Sequence, residues 1–475
     1  VILAATPVKL AEGDKADNVT KDFTVSTANN VSWTSGNSSY LTISGKNASI
    51  LKSTGLVLTA TKEGYSKKVY LKSNTEATAI GSSTSPLTIE NESELKAFRD
   101  AVNNYGVYKG CANYDGFKGV HFKVSIDIAL TDWTEPIGVH NSFKGVFDGN
   151  HRTISNININ QTSVSNIGGL FGCASFGSIE NLKITGNVNG AQSVGGLCGL
   201  TFAETIKNCE INCTVSTGGK NQCGGIVGVD KGYSNITKCK NLGSVSGFRY
   251  IGGIIGRCNH NAQISECINK GDISSTSNKT ADDIGGICGN IANSNCSFDY
   301  CENYGAISLS LKNGGGIVGS LDTGFEGCSI TNCINYGEIT GSAIGGIIGQ
   351  NNGTITIDKC LNIGSVSGGN GIGNGTSVSN CFNAGIANNA IAPSGVTNCI
   401  NVGDVTTVPA GCLYDNQLLS GSGAGSGLKT SQMVGTSLQE TLGTVDWTYT
   451  DNMYPMIKTL ENSEYMIMAA TTIVL

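Results

Sequence analysis

The sequence predicts an all-β chain: a small β-sandwich, then a β-solenoid of stacked coils of about 30 residues, with a short capping helix. Three observations carry this. The 475 residues include 66 Gly, only six Pro and 14% charged residues, which reads as short strands joined by many turns. A glycine-rich unit returns every 27 to 33 residues along the middle of the chain. The first 80 or so residues have a different texture, alternating apolar and polar residues in short runs. The hydrophobic share, 39%, is enough for a packed core.

Residues 1–82 are assigned to the sandwich. "FTVSTANNVSWTSGNSSYLTISGKNASILKSTGLVLTATKEGYSKKVYLKS" alternates along strands with turn residues between, and Trp33 is expected in its core. "GSSTSP", 81–86, reads as a linker. Residues 83–166 are expected to cap the solenoid, since an open end is an unpaired edge. In "IENESELKAFRDAVNN", Asn91 can N-cap a helix, with Glu94 in the third position. Leu95, Phe98 and Val102 then share one face. "HFKVSIDIAL" reads as a strand, and Asp148 in "FDGN" as a turn former.

The coils occupy 167–411. A Gly-Gly-[Leu/Ile]-x-Gly unit begins at Gly168, Gly195, Gly224, Gly252, Gly285, Gly315 and Gly345. A second signature, apolar-x-x-Cys-x-Asn-x-Gly-x-[Ile/Val], follows in "ITKCKNLGSV", "ISECINKGDI", "FDYCENYGAI", "ITNCINYGEI" and "IDKCLNIGSV", and returns in "VTNCINVGDV". "VSNCFNAGIA" and "IKNCEINCTV" are partial copies, and "IENLKITGNV" puts Leu182 in the Cys slot. No coil is large enough to bury its own apolar residues, so stacking must hide them. Roughly nine coils, about 4.8 Å apart, give a rod on the order of 40–50 Å long. Ile357, Cys360 and Val366 should lie over their equivalents in the next coil. Asn362 should sit at a corner, in a ladder with Asn335 and Asn401. Gly364 and the Gly-Gly pair should permit φ > 0 or close backbone contact.

Cys209, Cys239, Cys267, Cys301, Cys333, Cys360, Cys381 and Cys399 fill one slot. A nucleophile is needed once, so these are read as small buried hydrophobes. In-register neighbours have poor disulfide geometry. The better candidates for bridges are Cys296/Cys301 and Cys328/Cys333, in "CSFDYC" and "CSITNC". No Cys-x-x-Cys pair suggests zinc, and no Asp-x-Asp-x-Asp-Gly loop or nonapeptide repeat suggests calcium. No cofactor is expected. Gly314-Gly-Gly316-Ile-Val-Gly319 matches a dinucleotide fingerprint, but sibling coils put Ile167, Val194, Cys223, Ile251, Ile284 or Ile344 in the slot of Gly314, and no helix pattern follows.

Past Cys399 the repeat decays. Residues 412–463, with "TSQMVGTSLQETLG" and "VDWTYTDNMYPMIKTL", are assigned to a C-terminal cap. The last residues, "MIMAATTIVL", align with the first, "VILAATPVKL", so 464–475 are read as the start of a further sandwich domain. The chain begins at Val1 without Met, as a removed signal or an excised piece would explain.

The units "GGLFG…GSIENLKITGNVNG" and "GGIVG…NCINYGEITG" resemble the GLUG motif, named for its Gly-Leu-x-Gly core. "SFKGVFDGNHRTISNININ" resembles the entry to such repeats, "CLYDNQ" and "WTYTDNMYP" their exit, and the first 80 residues a bacterial Ig-like domain. The resemblance implies a large surface or secreted protein of gut Gram-negative bacteria, adhesin-like, exported by an N-terminal signal. GLUG units also precede the catalytic part of IgA-specific metallopeptidases. That chemistry needs His-Glu-x-x-His, and none of His121, His140, His151 and His260 is followed by Glu. The resemblance therefore supplies no catalytic residue.

Net charge is −6 and Arg is scarce, which argues against a nucleic-acid partner. No apolar run approaches a membrane span. The favoured function is non-catalytic binding of a host glycan, glycoprotein or other cell-surface component along a repetitive rod. If Cys and Asn point inward, the residues between them form an outer stripe. It runs through Leu242, Lys270, Tyr304, Tyr336, Ile363 and Val402, beside Ile334, Leu361, Phe382 and Ile400; such a stripe either marks a partner site, or is covered by a loop or turned inward. The alternatives are a polysaccharide-active enzyme using carboxylates among Asp282, Asp283, Asp322 and Glu326, or the non-catalytic repeat region of an IgA-peptidase-like protein.

Overall fold

The computed structural model describes residues 81–161, 167–217, 221–276, 283–418 and 422–460, and the backbone of six strands between 21 and 71. Those six form two antiparallel three-stranded sheets. One orders Lys21–Thr24, Asn47–Ile50 and Leu41–Ser44, and the other Ser32–Ser35, Leu56–Lys62 and Tyr65–Leu71. The Trp33 side chain and the segment 464–475 lie outside the described residues.

From Leu87 onward the chain winds into a β-solenoid of about eight turns. Every rung is parallel. One side is a seven-stranded sheet: Phe171–Ser175, Cys198–Phe202, Val227–Asp230, Ile255–Cys258, Cys288–Ile291, Val318–Leu321 and Ile348–Asn351. The rest of each coil joins one continuous sheet, in which Ile330 pairs with Ile357, Ile357 with Val378, and Ile339 with Val366. Gly314 pairs with Ile284 and Ile344, so it is an ordinary rung position and no phosphate loop. Among the described residues no helix is long and apolar enough to cross a membrane.

The N-terminal end is closed by the helix Glu92–Asn103. Asn91 Oδ1 accepts the Glu94 amide at 2.9 Å, and Glu94 Oε2 accepts the Glu90 amide at 2.9 Å. These two bonds, one to the cap residue and one to the residue before it, fix the first turn. Leu95, Phe98 and Val102 are fully buried. Phe98 packs on Phe122 with ring centroids 4.6 Å apart, and on Phe143 and Phe147 at 5.7 Å. Phe147 meets Phe171 of the first full coil at 5.2 Å, so the aromatic plug passes directly into the stack.

Inside the stack, two columns set the register. Asn241, Asn269, Asn303, Asn335, Asn362, Asn383 and Asn401 are all fully buried. Each amide donates to the next: Asn303 Nδ2 to Asn335 Oδ1 at 2.8 Å, Asn335 to Asn362 at 2.9 Å, Asn362 to Asn383 at 2.9 Å, and Asn383 to Asn401 at 2.7 Å. The second N–H of each goes to its own coil, as from Asn362 Nδ2 to Gly364 O at 2.9 Å. The ladder also explains the glycines. A Cβ on Gly346 would overlap the Asn362 amide and Gly371 O, and one on Gly364 would overlap Gly337 O. Close approach of backbone, with no left-handed φ, makes glycine necessary at both.

The second column is the eight slot cysteines, all buried. The Cys360 thiol donates to Asp358 O at 3.4 Å and lies 3.5 Å from Ile330 O of the preceding coil. Burial pushes the Cys239 and Cys333 thiols well above the ordinary value, so they remain neutral and unreactive. All 18 cysteines are unbridged. The candidate pairs Cys296/Cys301 and Cys328/Cys333 are among the free thiols. Between the members of each pair a residue turns into the left-handed region, Tyr300 at φ 51° and Asn332 at φ 52°. Cys301 and Cys333 thus join the slot column, while Cys296 and Cys328 aim at Asn259 O and Asn293 O.

Asn335→Ala should leave Asn303 Nδ2, Gly337 O and Asn362 Oδ1 short of a partner, at about 1–3 kcal/mol per buried group. Urea denaturation should show a clear loss of stability, whereas Asn235→Ala, at an exposed position, should change little.

Candidate functional site

The outer stripe is present, but most of it is covered. Ile334, Leu361, Phe382 and Ile400 stand in register on successive coils. They are buried at 1%, 3%, 7% and 0% exposure, so of the two readings of the stripe these four residues take the covered one and are not an open partner face. Their cover is the segment 430–460, which folds back along the side of the rod and packs Met433, Leu438, Leu442, Trp447, Tyr454 and Ile457 onto them. Tyr336, Ile363 and Val402 are half-buried at the edge of this cluster. Polar contacts fasten it: Lys359 Nζ lies 2.8 Å from Asp446 Oδ1, the Tyr454 hydroxyl donates to Asp415 Oδ2 at 2.6 Å, and the Thr459 hydroxyl donates to Asn332 Oδ1 at 2.6 Å. The C-terminal cap therefore seals a flank.

Toward the N-terminus the stripe emerges from this cover. Tyr304 stacks on Tyr336 with centroids 4.4 Å apart and 23° between planes. Lys270 Nζ lies 5.2 Å from the Tyr304 ring, and the Tyr304 hydroxyl donates to Glu302 Oε2 at 2.7 Å. These contacts hold the tyrosines along the coil surface.

The carboxylates offered for catalysis do not converge as a free set. Asp283 Oδ2 pairs with Arg249 Nε at 3.0 Å, and its other oxygen accepts Asn313 Nδ2 at 2.8 Å. Asp322 Oδ2 lies 3.4 Å from Arg257 Nη2, and its Oδ1 accepts Asn290 Nδ2 at 2.9 Å. Tyr250 sits between the two guanidinium groups, at 4.3 and 4.8 Å. Glu326 is exposed at a corner, and Asp282 lies outside the described residues. Among the described residues no group of three His, Cys, Asp or Glu side chains could hold a metal ion.

Besides Asp415, which is buried under the cap, two buried carboxylates carry no sequence signal. Glu204 is 1% exposed, with Oε2 accepting the Gly177 amide at 3.0 Å and Oε1 unpartnered. Burial pushes its pKa up to about 8. Asp230, also buried, accepts Ser234 and Thr201 hydroxyls at 2.6 and 3.2 Å, and burial raises its pKa too. Also missed were the exposed corner aromatics Phe176 and Tyr233. Both fall at the end of the strand that follows the Gly-Gly anchor, a signal visible only once coils are aligned.

No family model matches the chain. Halomucin of Haloquadratum walsbyi is 29% identical over 187 residues, which is 36% of this chain and 2% of halomucin. The chain thus spans a small fraction of the curated relative it matches. Among solved structures, a Bacteroides ovatus protein provisionally named an immunoglobulin A1 protease superposes with a TM-score of 0.39 at 18% identity, over 81% of this chain and 95% of that one. A structure named IgA1 protease gives a TM-score of 0.33 at 17% identity, over 69% of this chain and 24% of its own. Neither likeness brings an activity to this chain.

Two outcomes test these surfaces. Trp447→Ala should cost about 3–5 kcal/mol and loosen the cover. Limited proteolysis should then cut within 430–460 first, with hydrophobic-dye binding rising as Ile334 and Leu361 are exposed. Glu204 keeps its proton more tightly folded than unfolded. Its contribution is therefore full below about pH 4.5 and lost as pH rises through about 8. Stability should fall over that window by at most about 1.4 kcal/mol per pH unit from this group. Glu204→Gln should flatten the slope in denaturant titrations at pH 5, 6.5 and 8.

Proposed function

We propose that the chain is a cell-surface or secreted binding protein, adhesin-like and non-catalytic, whose partner is a host glycan or glycoprotein. The observation that carries this reading is where the recurring residues go. The slot cysteines, the asparagines and the Gly-Gly pairs all serve contact between coils. What varies from coil to coil faces solvent at the corners and along the uncovered flank. A surface of that kind, repeated at the coil spacing, suits many weak contacts to an extended, repetitive partner. The likeness of the repeats to the GLUG motif, and of residues 1–82 to a bacterial Ig-like domain, supports the same reading.

Two of the carboxylates that an enzyme reading would use, Asp283 and Asp322, are engaged with arginines, and no observation favours that reading over binding. The test is binding of the whole chain to immobilised intestinal mucin and to host-cell glycoproteins, before and after enzymatic deglycosylation. Saturable binding that falls on deglycosylation is expected. No saturable binding to any of these surfaces would overturn the proposal.

A further inference from the structure

At the corner that follows the seven-stranded sheet, one backbone position recurs as a column. Its members are Phe176, Ala203, Tyr233, Asn261 and Asn295, aligned by the hydrogen bonds from Phe176 N to Phe202 O, Ala203 N to Gly232 O, Tyr233 N to His260 O and Asn261 N to Ser294 O. All five lie in the left-handed region, with φ of 59°, 48°, 65°, 54° and 60°. Asn tolerates that conformation, because its short side chain can bond locally. For Phe and Tyr it is strained.

The strain brings no burial in return. Phe176 is 56% exposed and Tyr233 59%. Phe202, at the end of the intervening strand, stands between them, with ring centroids 5.1 Å from Phe176 and 6.1 Å from Tyr233 and interplanar angles of 79° and 81°. Each outer ring meets Phe202 edge to face. The two outer rings lie two coils apart, roughly 10 Å along the rod. Folding explains neither the exposure nor the choice of residue, since Asn serves the same corner in later coils.

The strip continues into hydrogen-bonding groups. His260, whose carbonyl receives the Tyr233 amide, has Nε2 2.7 Å from Asn293 Nδ2 of the next coil, in the open. Asn261 and Asn295 follow at the corner position itself. Lys231, two residues before Tyr233, is exposed at the side. The strip thus joins flat apolar rings to amides and an imidazole, in line with the rod. Aromatic rings with a few convergent polar groups are what a ligand with apolar faces and polar edges requires. A sugar ring has that character: its axial C–H bonds make an apolar face, and its hydroxyls lie around the rim.

From this we infer that the corner formed by Phe176, Phe202, Tyr233, His260 and Asn293 is a binding site for a linear, neutral oligosaccharide lying along the rod axis. Phe176 and Tyr233 stack on sugar rings, Phe202 fixes their spacing, and the His260–Asn293 pair takes hydroxyls. The inference deepens the binding function proposed above and rests on it.

The test uses the full chain with cellohexaose, mannohexaose, xylohexaose and chitohexaose in calorimetric titrations, beside immobilised mucin. The variant Phe176→Asn/Tyr233→Asn installs the residue that other coils already use, so its melting temperature should be unchanged or raised. At least one hexasaccharide should bind, with little dependence on salt, and the double variant should weaken binding at least tenfold. Tyr300→Asn, at a different left-handed corner, should leave it unchanged. A folded double variant that binds as tightly as the parent would overturn the site, as would binding only to sulfated or acidic chains. Mucin binding that persists in the double variant would sink the site and leave the broader proposal standing. Loss of all glycan and mucin binding by the parent would sink both.

Discussion

From Asn241 to Asn401 each coil must place one buried carboxamide where the next coil's carboxamide can accept from it, while in the coils before them Ile184 and Ile211 fill the same slot. An Asn side chain in a dry interior has two N–H groups and an oxygen to satisfy, and leaving any of them unpaired is costly. The column from Asn241 to Asn401 meets that demand by using one N–H along the stack and one within the coil. The rest of the repeat follows from it. The Gly-Gly pair lets neighbouring backbone come against the amide, the glycine two residues after each Asn offers its carbonyl, and the slot cysteine fills the space beside it. A slip of register by one residue would break all of these contacts together. Regular stacking is therefore enforced by polar groups as much as by apolar ones.

The flank covered by residues 430–460 shows the opposite logic. There the coils present large apolar side chains outward, and a non-repetitive segment with Trp447 and Tyr454 closes over them. Ion pairs and hydrogen bonds at its rim, from Lys359 to Asp446 and from Tyr454 to Asp415, set its position. Coverage ends near Tyr336. Beyond that point the same flank carries Glu302 and Lys270 around Tyr304, a mixed surface that can face water.

Much of the interior was legible in the sequence. The Gly-Gly anchors, the Cys slot and the Asn ladder are all pinned by identical neighbours above and below, so repetition exposes them. The N-cap at Asn91 was legible because its hydrogen bonds are local. The fate of the stripe was not. Its residues do point away from the Cys and Asn columns, but what lies over Ile334 and Phe382 comes from more than 50 residues further along the chain, and no period links them. The left-handed corners were also hidden. The residue before the slot Cys is Asn at 208, 332, 380 and 398 but Lys at 238 and 359, Glu at 266 and Tyr at 300, and all share one backbone conformation. Composition at that position varies because the constraint is on φ, and several side chains meet it. Nothing in the repeat marks Glu204 and Asp230; only the closing of the corner around them takes them out of water.

The asparagine column has a direction. Every amide donates toward the C-terminal end and accepts from the N-terminal side, so seven side-chain dipoles point the same way along the axis. The two ends of the column are unlike: at one, Asn241 Oδ1 takes the Gly243 amide of its own coil at 3.3 Å, and at the other Asn401 Nδ2 donates only to Gly403 O of its own coil. Within the column an added coil brings one donor and one acceptor and fits at any level, while a partial coil fits at none. Duplication of whole units is then the natural way for such a rod to change length, and reach becomes a quantity that can be altered in steps without redesigning the interior.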